Sequence, residues 1–246
     1  MNNKLPVITL LLSLGAAASA QDASPAQLDA VTVQRGAMTT SVAPYGQINE
    51  LLAGLQTYGE GLFRFEFHMK PKDPAKLVAT PTLAIQHADF YRPLKIAPDG
   101  LVELPVLPAE QAKDADVITN QPKGSLQLQG SIELTTPPAA LDLAGVRRMV
   151  ALSGRLKREL LPWYVRPLFP SMSGVRICSA QPGWEMQWRD EKGQLWGVTL
   201  PPAPGETDPK VKSPAQQCTV LTGQEHWPES AKLVAPADAR LSVKLL

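Results

Sequence analysis

The chain has 246 residues, with 24 Lys and Arg against 23 Asp and Glu. A near-zero balance gives no electrostatic case for nucleic acid as a partner. Its 24 prolines are about twice the usual share of roughly 5%, and proline breaks helix interiors and is confined to turns and strand edges. That argues against a helical bundle and for a β-rich chain with extended connections.

Lys4, the apolar run Leu5 to Leu14 and the small residues Ala16 to Ala20 have the order of a secretory signal peptide, with cleavage expected after Ala20. The apolar run is too short to cross roughly 30 Å of hydrocarbon, so the chain is not read as membrane-spanning. The expected location is the periplasm, or else the extracellular medium. Residues 21–44 form an N-terminal segment, partly ordered, in which only Leu28, Val31 and Val33 hint at a strand.

Ile48, Leu51, Leu52 and Leu55 fall at i, i+3, i+4 and i+7, so a short amphipathic helix is expected over 45–57, ended by Gly59 and Gly61. Phe63, Phe65, Phe67 and Met69 then alternate with Arg64, Glu66 and His68. Period two sends the two sets to opposite faces of a strand, one a phenylalanine ladder. A second strand lies within 77–89, with Leu83 and Ile85 inward. Asp99-Gly100 marks a turn before Leu101 to Leu107, and Asn120 to Gly124 marks another. Leu126, Leu128, Ile132 and Leu134 alternate with polar residues along a long strand, with Gly130 as a candidate bulge.

Thr136 and Pro137 read as N-cap and first position of a helix from about Ala139 to Leu160. Its apolar stripe is Leu143, Val146, Met149, Val150, Leu156 and Leu160. Arg147, Arg148, Arg155, Lys157 and Arg158 make the other side basic, and Pro162 stops it. Val175 to Ala180 is a short strand. Trp184, Met186 and Trp188 alternate before Asp190-Glu191-Lys192-Gly193, a turn with glycine at the bulge position. That hairpin places Trp188 opposite Trp196, Met186 opposite Val198 and Trp184 opposite Leu200. Pro201 to Gln217 is a loop, and strands resume at Cys218 to Leu221 and Arg240 to Leu246. The order of parts resembles uncharacterised bacterial periplasmic proteins of unknown function. The shared features are a short helix before the phenylalanine strand, D-G-x-x-x-L-P over Asp99 to Pro105, and a long helix before Ser173-Gly174-Val175. The resemblance implies no activity.

Chemistry is sparse. No G-x-S-x-G, H-E-x-x-H, paired C-x-x-C or phosphate-binding glycine motif occurs, and no cofactor is implied. Cys178 and Cys218, the two cysteines of an exported chain, are read as a disulfide. Glu66, His68, His87 and Asp89 would meet if their strands paired, and could then bind a metal or exchange protons. Trp184, Trp188 and Trp196 share one hairpin face, either as core or as a stacking platform for a glycan. The basic helix face could make weak contact with an anionic surface.

The expected fold is mainly β (α+β). It comprises a β-sandwich module over 45–138, then a 139–246 module in which a long amphipathic helix packs on a small disulfide-closed antiparallel sheet. The leading function is a non-catalytic envelope protein that binds or scaffolds an envelope component or glycan. The alternatives are a glycan-binding module using the hairpin tryptophans, or a periplasmic hydrolase or metal-dependent enzyme using dispersed histidines and carboxylates.

Overall fold

A computed structural model of the chain describes residues 39–88, 90–211 and 216–246. Residues 1–20, read above as a signal peptide, and the hint of a strand at Leu28 to Val33 lie outside them. The described chain is mainly β, and its sheets are antiparallel. The elements are β1 (Thr40–Pro44), α1 (Tyr45–Tyr58), β2 (Phe63–Pro71), β3 (Leu83–His87), β4 (Phe90–Leu94), β5 (Leu101–Val102), α2 (Ala109–Ala112), β6 (Asp116–Thr119) and β7 (Leu126–Leu134). There follow α3 (Leu143–Leu160), β8 (Met172–Ser179), β9 (Glu185–Arg189), β10 (Leu195–Thr199), β11 (Gln217–Leu221), β12 (Lys232–Val234) and β13 (Arg240–Leu245). Strand orders are β1-β6-β3-β4, β5-β2-β7, β10-β9-β12 and β11-β8-β13.

Period-two alternation fixes the longest pairing. β2 and β7 run antiparallel from Phe63↔Leu134 to Pro71↔Leu126 without a shift in register. Gly130 is therefore not a bulge. It pairs with Phe67, and a Cβ there would lie 3.2 Å from the Phe67 ring, so the glycine leaves room for the phenylalanine. The hairpin of β9 and β10 has the expected register, Trp188↔Trp196 and Met186↔Val198. Asp190 N donates to Gln194 O at 3.0 Å, Leu200 N donates to Trp184 O at 2.8 Å, and Gly193 has φ 79°. Turn chemistry and cross-strand pattern agree, as a two-strand unit requires.

The long helix starts later than its sequence suggests. Pro138–Ala140 is a 3-10 turn, and Leu141 is extended, fully buried, with its carbonyl accepting from Leu233 N at 2.8 Å. The N-cap is Asp142, not Thr136, and its side chain accepts from Gly145 N at 2.7 Å. Two more first-turn amides are satisfied from outside the helix, Leu143 N by Ala231 O and Ala144 N by Glu229 O. A side-chain acceptor placed where the chain docks on residues 229–231 outcompetes the local Thr-Pro signal.

Two buried clusters hold the described chain. The larger takes Leu143, Val146, Met149, Leu152 and Leu156 from α3 and Met172, Val175 and Ile177 from β8. Trp184, Met186 and Leu233 join it from the second-half sheets, and Leu55, Phe63 and Leu134 from the first half. The other gathers Tyr45, Leu83, Ile85, Val102, Leu107 and Val117, with Met69 and Leu128 packed against it. In α1 the deepest side chains are Tyr45 and Leu55 together with the polar Asn49, while Leu51 and Leu52 are half-buried. Asn49 is a backbone mimic: its Nδ2 donates to Leu107 O at 3.0 Å and its Oδ1 accepts from Leu107 N at 2.8 Å. A buried amide with both ends satisfied costs little and fixes register. The Tyr45 hydroxyl donates to Pro105 O beside it, and burial raises it to about 12, partly opposed by Arg92.

Cys178 and Cys218 face each other across β8 and β11 and are bonded. With 40 residues of separation, the chain-entropy model gives a stabilisation of roughly 4 kcal/mol. Cys178→Ser with Cys218→Ser should lower the unfolding free energy in urea by about that amount. Nearer the start of β8, a Cβ at Gly174 would collide with the backbone carbonyl of Leu221. Gly174→Ala should therefore cost about 1–3 kcal/mol, read as a lower urea midpoint with the disulfide intact.

Candidate functional site

The two strands that carry the histidines do not pair. β2, which carries Glu66 and His68, pairs with β5 and β7, whereas β3, which carries His87, pairs with β4 and β6. His68 lies opposite Gln129 and Leu101, and half-buried His87 lies opposite Phe90. Asp89 falls outside the described residues. Among the described residues there is no group of three or more His, Cys, Asp or Glu that could hold a metal ion.

Glu66 instead belongs to an ion-pair network on the polar face of β2 and β7. Arg64 Nη2 is 2.7 Å from Glu66 Oε1, and Lys210 Nζ is 3.0 Å from Glu66 Oε2 and 2.9 Å from Glu133 Oε2. Ser131 Oγ donates to Glu133 at 3.0 Å. Burial raises the Glu66 carboxyl, but hydrogen bonds from Lys210 and Arg64 outweigh it and the net shift is downward. Burial lowers the Lys210 ammonium, and the two glutamates more than reverse that, so it is raised. Both groups move away from neutrality, which suits a tether for the loop before β11 and not a proton donor or acceptor.

The tryptophans grade from core to solvent along one hairpin face. Trp184 is fully buried and its Nε1 finds no acceptor among the described residues; Trp188 is partly buried; Trp196 is 48% exposed. The hairpin outruns the core beneath it, so inward-facing positions near its tip meet water. Trp196 Nε1 donates to Asp190 Oδ2 at 3.1 Å. That bond, then the Gln194 amide, hold the Asp190 carboxyl below its ordinary range.

The basic side of α3 is mostly engaged. Arg147 donates to the carbonyls of Gly223 and Glu225, both at 2.8 Å, and lies 3.3 Å from Glu229. Arg148 and Arg155 share Glu60. Among the described residues, Lys157 and Arg158 have no carboxylate within ion-pairing distance: Lys157 Nζ donates to Phe169 O and to Ser171 Oγ, the latter at 2.9 Å.

One concave feature among the described residues was not read from the sequence. A groove of about 250 Å³ opens between α1, α3 and the sheet strands. Its lining includes Leu51 and Leu55 of α1, Val150 and Leu160 of α3, and Phe63 and Phe65 of β2. Three apolar side chains at its edge remain in water: Ile132 at 45%, Leu245 at 46% and Phe169 at 51% exposure. Ser153, Lys157 and Ser171 supply the polar side chains of the lining. The two helices approach closely at Gly54, where a Cβ would overlap the Leu160 side chain. The groove residues come from six elements at no fixed spacing. The one local signal is Leu161 to Pro170, ten residues with Arg166 as their single charge.

No protein-family model matches the chain, and no match was found among curated proteins or among solved structures. No helix among the described residues is long and apolar enough to cross a membrane.

The Glu66 network carries a pH signature. A carboxyl held below its ordinary 4.5 contributes stability present above that value and lost as the pH falls through the folded-state value. An ammonium raised above 10.5 contributes stability present below that value and lost as the pH rises through its folded-state value. Lys210→Met should lower the urea midpoint at neutral pH and flatten its fall on both the acid side below 4.5 and the alkaline side above 10.5. Unchanged pH profiles would show that the network is not coupled to folding.

Proposed function

We propose that this is a non-catalytic, exported binding protein of the envelope whose ligand is a single apolar chain held in the groove between α1 and α3. The observation that carries the reading is an open, almost wholly carbon-lined concavity whose edge residues Ile132, Leu245 and Phe169 stay exposed. Contiguous exposed apolar surface is uncommon on a free protein and marks a place where something binds. Scaling from a cavity of about 150 Å³ that holds benzene, a groove of this size suits a chain of about ten carbons. Lys157 at the wall suits an anionic or hydrogen-bond-accepting head group.

The leader-like residues 1–20 and the formed disulfide support the periplasm as the compartment. We read the sheets of β5-β2-β7 and β1-β6-β3-β4 as a sandwich, supported by shared burial of Met69 and Leu128 with Leu83 and Ile85. We read α3 as laid on the disulfide-closed sheet, supported by shared burial of Val146 and Met149 with Val175 and Ile177.

Gly154 lines the groove, and a Cβ there would meet only Arg158 Nη1, at 3.7 Å. Gly154→Leu should fill the groove while gaining up to about 1 kcal/mol of helix propensity. The expected result is displacement of N-phenyl-1-naphthylamine by dodecanoate in the wild type, weakened at least about tenfold in a Gly154→Leu variant of equal or greater stability. No probe binding, or undiminished binding in the variant, would refute the reading.

A further inference from the structure

We infer that the segment Leu161–Pro170 docks the protein on an anionic bilayer surface. The segment links α3 to β8 and is apolar along its length, yet Trp163 is 77% exposed, Tyr164 63%, Leu168 80% and Phe169 51%. Trp163 and Tyr164 meet edge to face at 5.9 Å. Four large apolar side chains within seven residues, held in water, are a surface made for a non-aqueous neighbour.

The loop is built to present them. Arg166 folds back so that its Nε donates to Leu161 O at 2.8 Å and its Nη2 donates to Arg158 O at 2.6 Å. One guanidinium thereby satisfies terminal carbonyls of α3 and leaves the rings pointing outward. A 3-10 turn at Arg166–Leu168 keeps Leu168 and Phe169 on the exposed side. The structure is fixed without burying the side chains that folding would ordinarily bury.

Charge and side-chain chemistry select the partner. Lys157 and Arg158, next to the aromatic segment, are the α3 cations without a carboxylate among the described residues, while Arg147, Arg148 and Arg155 are matched to Glu229 and Glu60. Tryptophan and tyrosine beside unmatched Lys and Arg are the composition of a lipid interface, where the rings sit at head-group depth and the cations meet anionic lipid. A second copy of this chain would bring the same cations against one another, which disfavours a dimer through this face. The docking surface borders the groove, since Phe169 belongs to both. Trp163, Tyr164 and Leu168 are exposed and do not line the groove, so neither proposal falls with the other.

The test is co-sedimentation of the purified protein with vesicles of phosphatidylglycerol and phosphatidylcholine in equal parts. Binding is expected to the mixed vesicles and to be weaker by about tenfold on pure phosphatidylcholine or in high salt. Trp163→Ser with Leu168→Ser should reduce it by a further order of magnitude, about tenfold, with circular dichroism and melting temperature unchanged, because both side chains are exposed. Arg158→Glu should weaken binding to the anionic vesicles alone. No sedimentation with mixed vesicles, or binding indifferent to the double variant, would overturn the proposal. So would a concentration-dependent dimer in sedimentation velocity that the double variant abolishes, because a second copy would then own the surface.

Discussion

The apolar stripe of α3 is the constraint from which most of the structure follows. Leu143, Val146, Met149, Leu152 and Leu156 are all buried, and they share one cluster with β8, with Trp184 and Met186 of the tryptophan hairpin, and with Phe63 and Leu134 of the β2–β7 pair. Each such side chain contributes about 1.5–3 kcal/mol on burial. Three of the four sheets have three strands, and all three contribute side chains to this cluster. The helix shares one buried core with them. Its start is set by the same docking, through Ala231 and Glu229, and its end is closed by Arg166.

Polar groups follow a second rule, that charges brought near the core are matched. Glu206 receives Arg176 at 2.8 Å and Lys244 beside it, and its carboxyl is held low first by the lysine hydrogen bond. Glu66 and Glu133 receive Lys210. Both networks pin residues 201–211, a proline-rich stretch with little apolar content, onto strand faces. Within α3, Lys157 and Arg158 differ from Arg147, Arg148 and Arg155 in having no ion-pair partner among the described residues. The apolar groove and the aromatic segment lie at this same end of α3, so unmatched charge and exposed carbon occur together there.

Local patterns made much of the fold legible. The phenylalanine alternation of β2, the turn glycine of the β9–β10 hairpin and the α1 stripe rest on nearest-neighbour chemistry, and the pairing of Cys178 with Cys218 on there being no other cysteine. What escaped was short or non-local. β1, β4, β6 and β12 have five residues or fewer and show no clear apolar alternation. Asn49 looks like an ordinary polar helix residue until Leu107 is beside it. Gly130 reads as a bulge until the Phe67 ring is seen to occupy its side-chain space. Thr136-Pro137 carries a sound capping signal, but Asp142 wins because residues 229–231 arrive from far along the chain.

The histidines and tryptophans illustrate the same division for function. Their strands could be placed from sequence, but strand order could not: His68 and His87 lie in different sheets, and of the hairpin tryptophans Trp184 is buried while Trp196 is open. Composition and period two were enough to decide a β-rich chain with a forced disulfide, because each depends on residues adjacent in sequence or without alternative partners. The groove, the matched and unmatched charges and the exposure of Trp163 to Phe169 were decided only in three dimensions. Concavity and solvent exposure depend on which distant segments arrive to cover a surface, and no local pattern records an absence of cover.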